Sequence, residues 1–110
     1  MRIEDFHEVQ KKAEETGKKL SIVDVRVPVQ YGVTNIDGSV NIPLSEMQKN
    51  AQPVLDICQS NETVYMMCRR GIASKEATNY LIEKHGVKNV VNVEGGMNAL
   101  ALLDEKYPLY

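Results

Sequence analysis

The chain has 110 residues, 43% hydrophobic and 25% charged, a length that fits one domain spanning residues 1–110 and excludes a two-domain enzyme. Two cysteines are too few for a disulfide framework, so a reducing, cytoplasmic compartment is expected and each thiol is read as core or chemistry before it is read as a bridge. Thirteen basic against fifteen acidic side chains leave a net charge of −2, which argues against nucleic acid as a direct ligand. Even the longest apolar runs, such as Val64 to Cys68, are far too short for a membrane span, and Met1 to Asp5 lacks the apolar stretch of a secretory signal.

In chain order, Ile3, Phe6, Val9 and Ala13 recur at helical spacing, and Gly17 stands where a C-terminal cap would close that helix. Leu20 to Val25 is a short β-branched run that reads as a buried strand of a mostly parallel sheet, with Asp24 as its anomaly. Val40 to Ile42 predicts another short strand before Pro43, and Ser45 to Gln48 spells a capping box opening a helix. Pro53 suits the first turn of a further helix running through Cys58. After a turn cluster at Gln59 to Glu62, Thr63 to Met67 is the clearest strand. Ala73, Ala77, Tyr80 and Leu81 then mark a helix that starts near Ser74 and ends at His85-Gly86. Val90 to Val93 predicts the last strand, and Gly95-Gly96 turns into a short apolar helix from Met97 to Leu103. Strands alternating with helices predict an α/β domain around a central, largely parallel sheet.

The segment Cys68-Arg69-Arg70-Gly71-Ile72-Ala73-Ser74 joins the clearest strand to the helix that follows it. In open α/β sheets such a junction aims loop amides and a helix N-terminus at one place outside the carboxyl ends of the strands, where an anion is stabilised. A cysteine sulfur in that cradle, beside two guanidinium groups, is favoured as thiolate, the nucleophilic form. Two arginines at the mouth of a helix would oppose its dipole unless an anion were meant to sit there, so Cys68 is read as chemistry. Cys58, among Val54, Leu55 and Ile57 on a predicted helix, is read as core. His7 and His85 have no spaced partner and read as surface or capping residues, and no Cys/His cluster at ligand spacing supports a metal. Gly95-Gly96 lacks the spacing of either nucleotide motif, and Lys11-Lys12 and Lys18-Lys19 read as solvated surface.

Taken in order, Asp24-Val25-Arg26, Ile36-Asp37-Gly38-Ser39-Val40-Asn41-Ile42-Pro43-Leu44, the Cys68 loop and Glu94-Gly95-Gly96-Met97 resemble the signature of the rhodanese family of sulfurtransferases. More narrowly, Cys68-Arg69-Arg70-Gly71 with Ser74, and the ending Tyr107-Pro108-Leu109-Tyr110, resemble the C-terminal rhodanese domain of ubiquitin-like-protein activators, the adenylyltransferase and sulfurtransferase or molybdopterin synthase sulfurylase proteins. The resemblance implies a three-layer α/β fold with a sheet of about five strands flanked by helices. It implies an enzyme that needs no cofactor: Cys68 takes sulfane sulfur from a cysteine desulfurase or thiosulfate as a covalent persulfide. The acceptor is the adenylated C-terminus of a ubiquitin-like sulfur carrier, for tRNA thiolation or molybdenum cofactor biosynthesis. Arg69, Arg70, Gly71, Ile72, Ala73 and Ser74 then form the anion-binding loop, and Asp24 with Arg26 form a supporting ion pair.

The chain departs from that pattern where the activators often carry an acidic residue and Ala73 stands, at Asn35 in place of a frequent His, and at Leu100 in place of an aromatic residue. The adenylating half of an activator is absent from these residues and is expected elsewhere, in the same full-length protein or in another. Three other readings stand beside this one. A general thiosulfate:cyanide sulfurtransferase needs only the loop. A cysteine-dependent phosphatase or arsenate reductase needs an arginine at the sixth position after the cysteine, where Ser74 stands. A catalytically silent binding module has no need of Cys68 with Arg69, Arg70 and Gly71.

Overall fold

The computed structural model describes residues 1–109; Tyr110, the end of the tail motif, lies outside the described residues. The elements run α1 (Ile3–Thr16), β1 (Ser21–Asp24), α2 (Pro28–Val33), β2 (Val40–Asn41), α3 (Leu44–Lys49), α4 (Gln52–Ser60), β3 (Val64–Met67), α5 (Ile72–His85), β4 (Val90–Asn92) and α6 (Gly96–Leu103). The strands form one parallel sheet in the order β2-β1-β3-β4. No described helix is long and apolar enough to cross a membrane.

The sheet has four strands among the described residues, one fewer than the expected five or so. Among the described residues the place beyond β4 is taken by Met1, whose nitrogen donates to the Asn92 carbonyl at 2.7 Å and whose carbonyl accepts from the Glu94 amide at 2.9 Å. That pattern is a one-residue parallel bridge. It goes no further because the helical spacing that begins at Ile3 commits the following residues to α1.

Side chains alternate across the sheet and fill two cores. Val23, Val25, Val64, Met66 and Cys68 face α3, α4 and α5, where they meet Met47, Val54, Cys58, Ala77 and Leu81. Ile22, Tyr65 and Met67 face α1 and α6, where they meet Phe6, Met97 and Leu100, and the Phe6 ring stands edge-on to Tyr65 at 5.4 Å. Both faces are thus dry, as a parallel sheet requires. Each fully buried Leu or Phe of these layers contributes about 1.5–3 kcal/mol.

Two local expectations are corrected. The capping box at Ser45 does not form: α3 begins one residue earlier, at Leu44, with Pro43 at the N-cap and no side-chain cap. The Leu44 amide donates to the Val25 carbonyl at 3.1 Å, so the β1 edge holds the helix entry and leaves Ser45 inside the first turn. The short helix α2 appears where no element was expected, with Pro28 at its start.

Successive strands leave β1 and β3 in opposite directions, β1 leading outward to β2 and β3 to β4. The carboxyl ends of β1 and β3 therefore flank the switch point of the sheet, the place where open α/β folds bind ligands. Asp24 ends β1, Met67 pairs with it at the end of β3, and Cys68 is the next residue.

Candidate active site

The structure brings the predicted loop together around one sulfur. Cys68 is 3% exposed, and its Sγ accepts the Gly71 amide at 3.0 Å and the Ser74 amide at 3.3 Å, with the Ser74 hydroxyl at 3.1 Å. Two backbone N–H groups and the first turn of α5 thus converge on the thiol, the arrangement that stabilises an anion. Gly71, at φ 82°, is the N-cap residue of α5, which starts at Ile72 rather than near Ser74. The sixth residue after the cysteine contributes a hydroxyl where a phosphatase loop would need a guanidinium.

A cavity of about 530 Å³ opens above the sulfur, lined by Val25, Arg26, Leu44, Cys68, Arg70 and Ile72 among others. Arg69 and Arg70 are exposed at its rim, Ile72 is 66% exposed, and Ala73 is half-buried on the cavity wall. Its chemistry is mixed: guanidinium groups suited to an anion, and apolar wall suited to an extended, uncharged chain.

Arg26, on the cavity lining, forms a buried ion pair with Asp24, the two being 4% and 1% exposed. Arg26 Nε donates to both carboxylate oxygens at 3.0 Å and Nη2 to Oδ2 at 2.8 Å, and the Arg26 amide donates to Oδ1 at 3.0 Å. Two further guanidinium protons go to the Thr34 carbonyl at 2.6 Å and the Gln30 carbonyl at 3.3 Å. Asn41, part of the Ile36 to Leu44 run that carries the family resemblance, donates to the carbonyls of Asp24 and Arg26 at 3.0 and 2.8 Å. The pair ties the end of β1 to α2, and Asn41 ties it to β2, beside the wall of the cavity.

The loop is locked from behind by the double glycine. The first amides of α6 have no partner within the helix; those of Met97 and Asn98 donate to the carbonyls of Cys68 and Arg69, each at 2.9 Å. This approach demands that Gly96, at φ 58°, carry no side chain, since a Cβ there would stand 2.3 Å from the Cys68 oxygen and 2.8 Å from the Arg69 carbonyl carbon. Gly96→Ala combines a left-handed backbone cost with a clash against backbone. It is expected to lower stability by about 3 kcal/mol in urea unfolding, with loss of the Cys68 loop geometry.

Cys58 is buried between α4 and the sheet, where burial pushes its thiol pKa up and away from reactivity. His7 lies 3.3 Å from Asp104, joining α1 to the end of α6, and the His85 ring packs edge-on against Tyr80; neither lines the cavity. The residue missed by sequence reasoning is Asn92 of β4, which contacts both Ser74 and Gly71. Its one signal was a carboxamide inside an apolar strand.

Comparison with known proteins bears on the family and the fold. The chain is 36% identical over 90 residues to the adenylyltransferase and sulfurtransferase UBA4 of Yarrowia lipolytica, a match covering 81% of this chain and 22% of the relative. It is 35% identical over 83 residues to the putative sulfur carrier protein YrkF of Bacillus subtilis, covering 76% of this chain and 42% of the relative. The chain thus spans about a fifth of the length of the adenylyltransferase and sulfurtransferase relatives it matches. Among solved structures it is similar to a rhodanese-like domain protein from Staphylococcus aureus, with a TM-score of 0.74 and 29% identity over 100% of this chain and 96% of the other. The model of the rhodanese-like domain matches residues 5–102, and the chain belongs to that family.

Proposed function

We propose that the chain is a sulfurtransferase that carries sulfane sulfur as a persulfide on Cys68 and delivers it to the C-terminus of a ubiquitin-like sulfur carrier. The observation that carries this reading is the Cys68 sulfur itself, held by two loop amides and a hydroxyl at the base of a cavity rimmed by arginines. The names of the UBA4 and YrkF relatives, one a sulfurtransferase and one a putative sulfur carrier, support it.

With thiosulfate as donor, the thiolate attacks the sulfane sulfur, a Cys–S–S bond forms, and the thiosulfate S–S bond breaks with its electron pair leaving on sulfite. Arg69 and Arg70 attract the dianionic donor, and the Gly71 and Ser74 amides stabilise the sulfur charge. The outer sulfur then attacks the adenylated carrier carbonyl, displacing AMP. An external thiol cleaves the resulting acyl disulfide, freeing the thiocarboxylate and leaving Cys68 in a mixed disulfide. A cytoplasmic setting, a desulfurase donor, an adenylating domain elsewhere in the same protein, and use of the sulfur for tRNA thiolation or molybdopterin synthesis belong to the same reading. No step requires a cofactor or metal.

The test is mass spectrometry of the protein after incubation with thiosulfate, or with a cysteine desulfurase and cysteine. One sulfane sulfur on the Cys68 peptide is expected; an adduct on Cys58 with Cys68 unmodified would overturn the assignment.

A second reading, a general thiosulfate sulfurtransferase, is favoured by Ala73, which leaves the loop without the acidic residue frequent in the activators. Discharge of the loaded protein separates the two: rapid thiocyanate formation from cyanide, with an adenylated carrier left unmodified, selects the general enzyme.

A further inference from the structure

Ser74 and Asn92 place a proton-ordering device against the nucleophile. Asn92 Nδ2 lies 3.2 Å from the Gly71 carbonyl, and Asn92 Oδ1 lies 2.5 Å from Ser74 Oγ. A carbonyl oxygen only accepts, so the part of the carboxamide facing Gly71 is its NH2 group, and its oxygen therefore faces Ser74. That oxygen also only accepts, so the single hydroxyl proton of Ser74 is given to Asn92. Ser74 Oγ is left with lone pairs toward Cys68 Sγ, 3.1 Å away. The neutral thiol fits this arrangement, its S–H donating to Ser74 while Ser74 donates to Asn92.

The thiolate fits it badly. A sulfur without its proton would face an oxygen lone pair, so on ionisation Ser74 must turn its hydroxyl from Asn92 to the sulfur, and Asn92 loses that donor. The strength of the Ser74–Asn92 bond thus opposes ionisation of Cys68, while the Gly71 and Ser74 amides favour it.

We propose that Asn92 is a positioning residue acting through Ser74: by holding the Ser74 hydroxyl proton it governs how readily Cys68 gives up its own. The proposal rests on Cys68 being the reactive thiol of the site and is independent of the sulfur acceptor. The charged groups lining the cavity around the sulfur are Arg26, paired with Asp24 at the end of β1, and Arg69 and Arg70 in the loop itself. From α3 the cavity receives only the uncharged Ser45 and Gln48 among its polar groups; Lys75 and Glu76 of α5 line a separate groove, and Glu94 after β4 is exposed. None of these changes when Asn92 is replaced.

The experiment is the pH dependence of Cys68 alkylation by iodoacetamide, read on the Cys68 peptide by mass spectrometry so that Cys58 does not contribute. Asn92→Leu removes the acceptor at nearly constant size. It is expected to move the midpoint of the profile down by about one pH unit, a tenfold change of the ionisation constant and within what a hydrogen bond to a charged group supplies. Asn92→Asp, a stronger acceptor carrying negative charge, is expected to move the midpoint up. In a Ser74→Ala background Asn92→Leu is expected to have no effect. An unchanged midpoint in Asn92→Leu overturns the proposal, and so does an equal shift in the Ser74→Ala background, which would mean that Asn92 acts only by bracing Gly71. If Asn92→Leu fails to fold, the isosteric Asn92→Asp decides, and a midpoint left in place or lowered is the overturning result. Alkylation reads the thiol alone, so persulfide loading can fail while the proposal holds, and the reverse.

Discussion

Cys68→Ala is expected to reduce persulfide loading and sulfur transfer to background, while Cys58→Ala retains both. The two thiols differ in surroundings more than in burial. Cys68 Sγ accepts the Gly71 and Ser74 amides and lines a cavity, whereas Cys58 packs between α4 and the sheet, where burial raises its pKa. Of the two, Cys68 has loop amides on its sulfur and a cavity by which a donor can reach it. Removing the Cys58 sulfur leaves a small void and is expected to cost about 1 kcal/mol in urea unfolding. The check is thiosulfate loading followed by cyanide discharge, measured on both variants and the parent. Transfer surviving in Cys68→Ala and disappearing in Cys58→Ala would exchange the roles of the two residues.

Arg26→Met is expected to be the most destabilising single change at the site, by about 3–5 kcal/mol. It leaves the Asp24 carboxylate, 1% exposed, without its guanidinium and, among the described residues, with the residue 26 amide as its one remaining donor. It also strips the Gln30 and Thr34 carbonyls of their donors. Against a total stability of about 5–15 kcal/mol for a domain of this kind, that loss is large enough to unfold part of the population. The double variant Asp24→Asn/Arg26→Met is expected to recover part of the loss, because the stranded charge is gone. Urea unfolding of both variants checks this, and a cost below about 1 kcal/mol for Arg26→Met would show that the pair is not what holds the β1 end.

The alternation of strand and helix was legible because the apolar runs at β1 and β3 and the helical spacing of α1 and α5 are local signals. The Cys68 loop was legible for the same reason, all its sulfur donors lying within six residues. What escaped the sequence depends on contacts distant along the chain. Helix α2, with Pro28, Val29, Gly32 and Val33 among its six residues, has weak helix propensity; its carbonyl end is held by the Arg26 guanidinium through Gln30 and Thr34. Asn92 reaches Ser74 across 18 residues of sequence, and Asn41 reaches Asp24 across 17. A fifth strand was implied by the family pattern; beside β4 the described residues place Met1, bonded to Asn92 and Glu94, and the chain then enters α1.

The bonds from the Met97 and Asn98 amides to the Cys68 and Arg69 carbonyls make the start of α6 a remote clock for the Cys68 loop. Those two protons exchange with solvent only when the carbonyls let go. Their deuterium uptake therefore times the opening of the Cys68 segment from a position nearly thirty residues downstream, without a label on the Cys68 thiol itself.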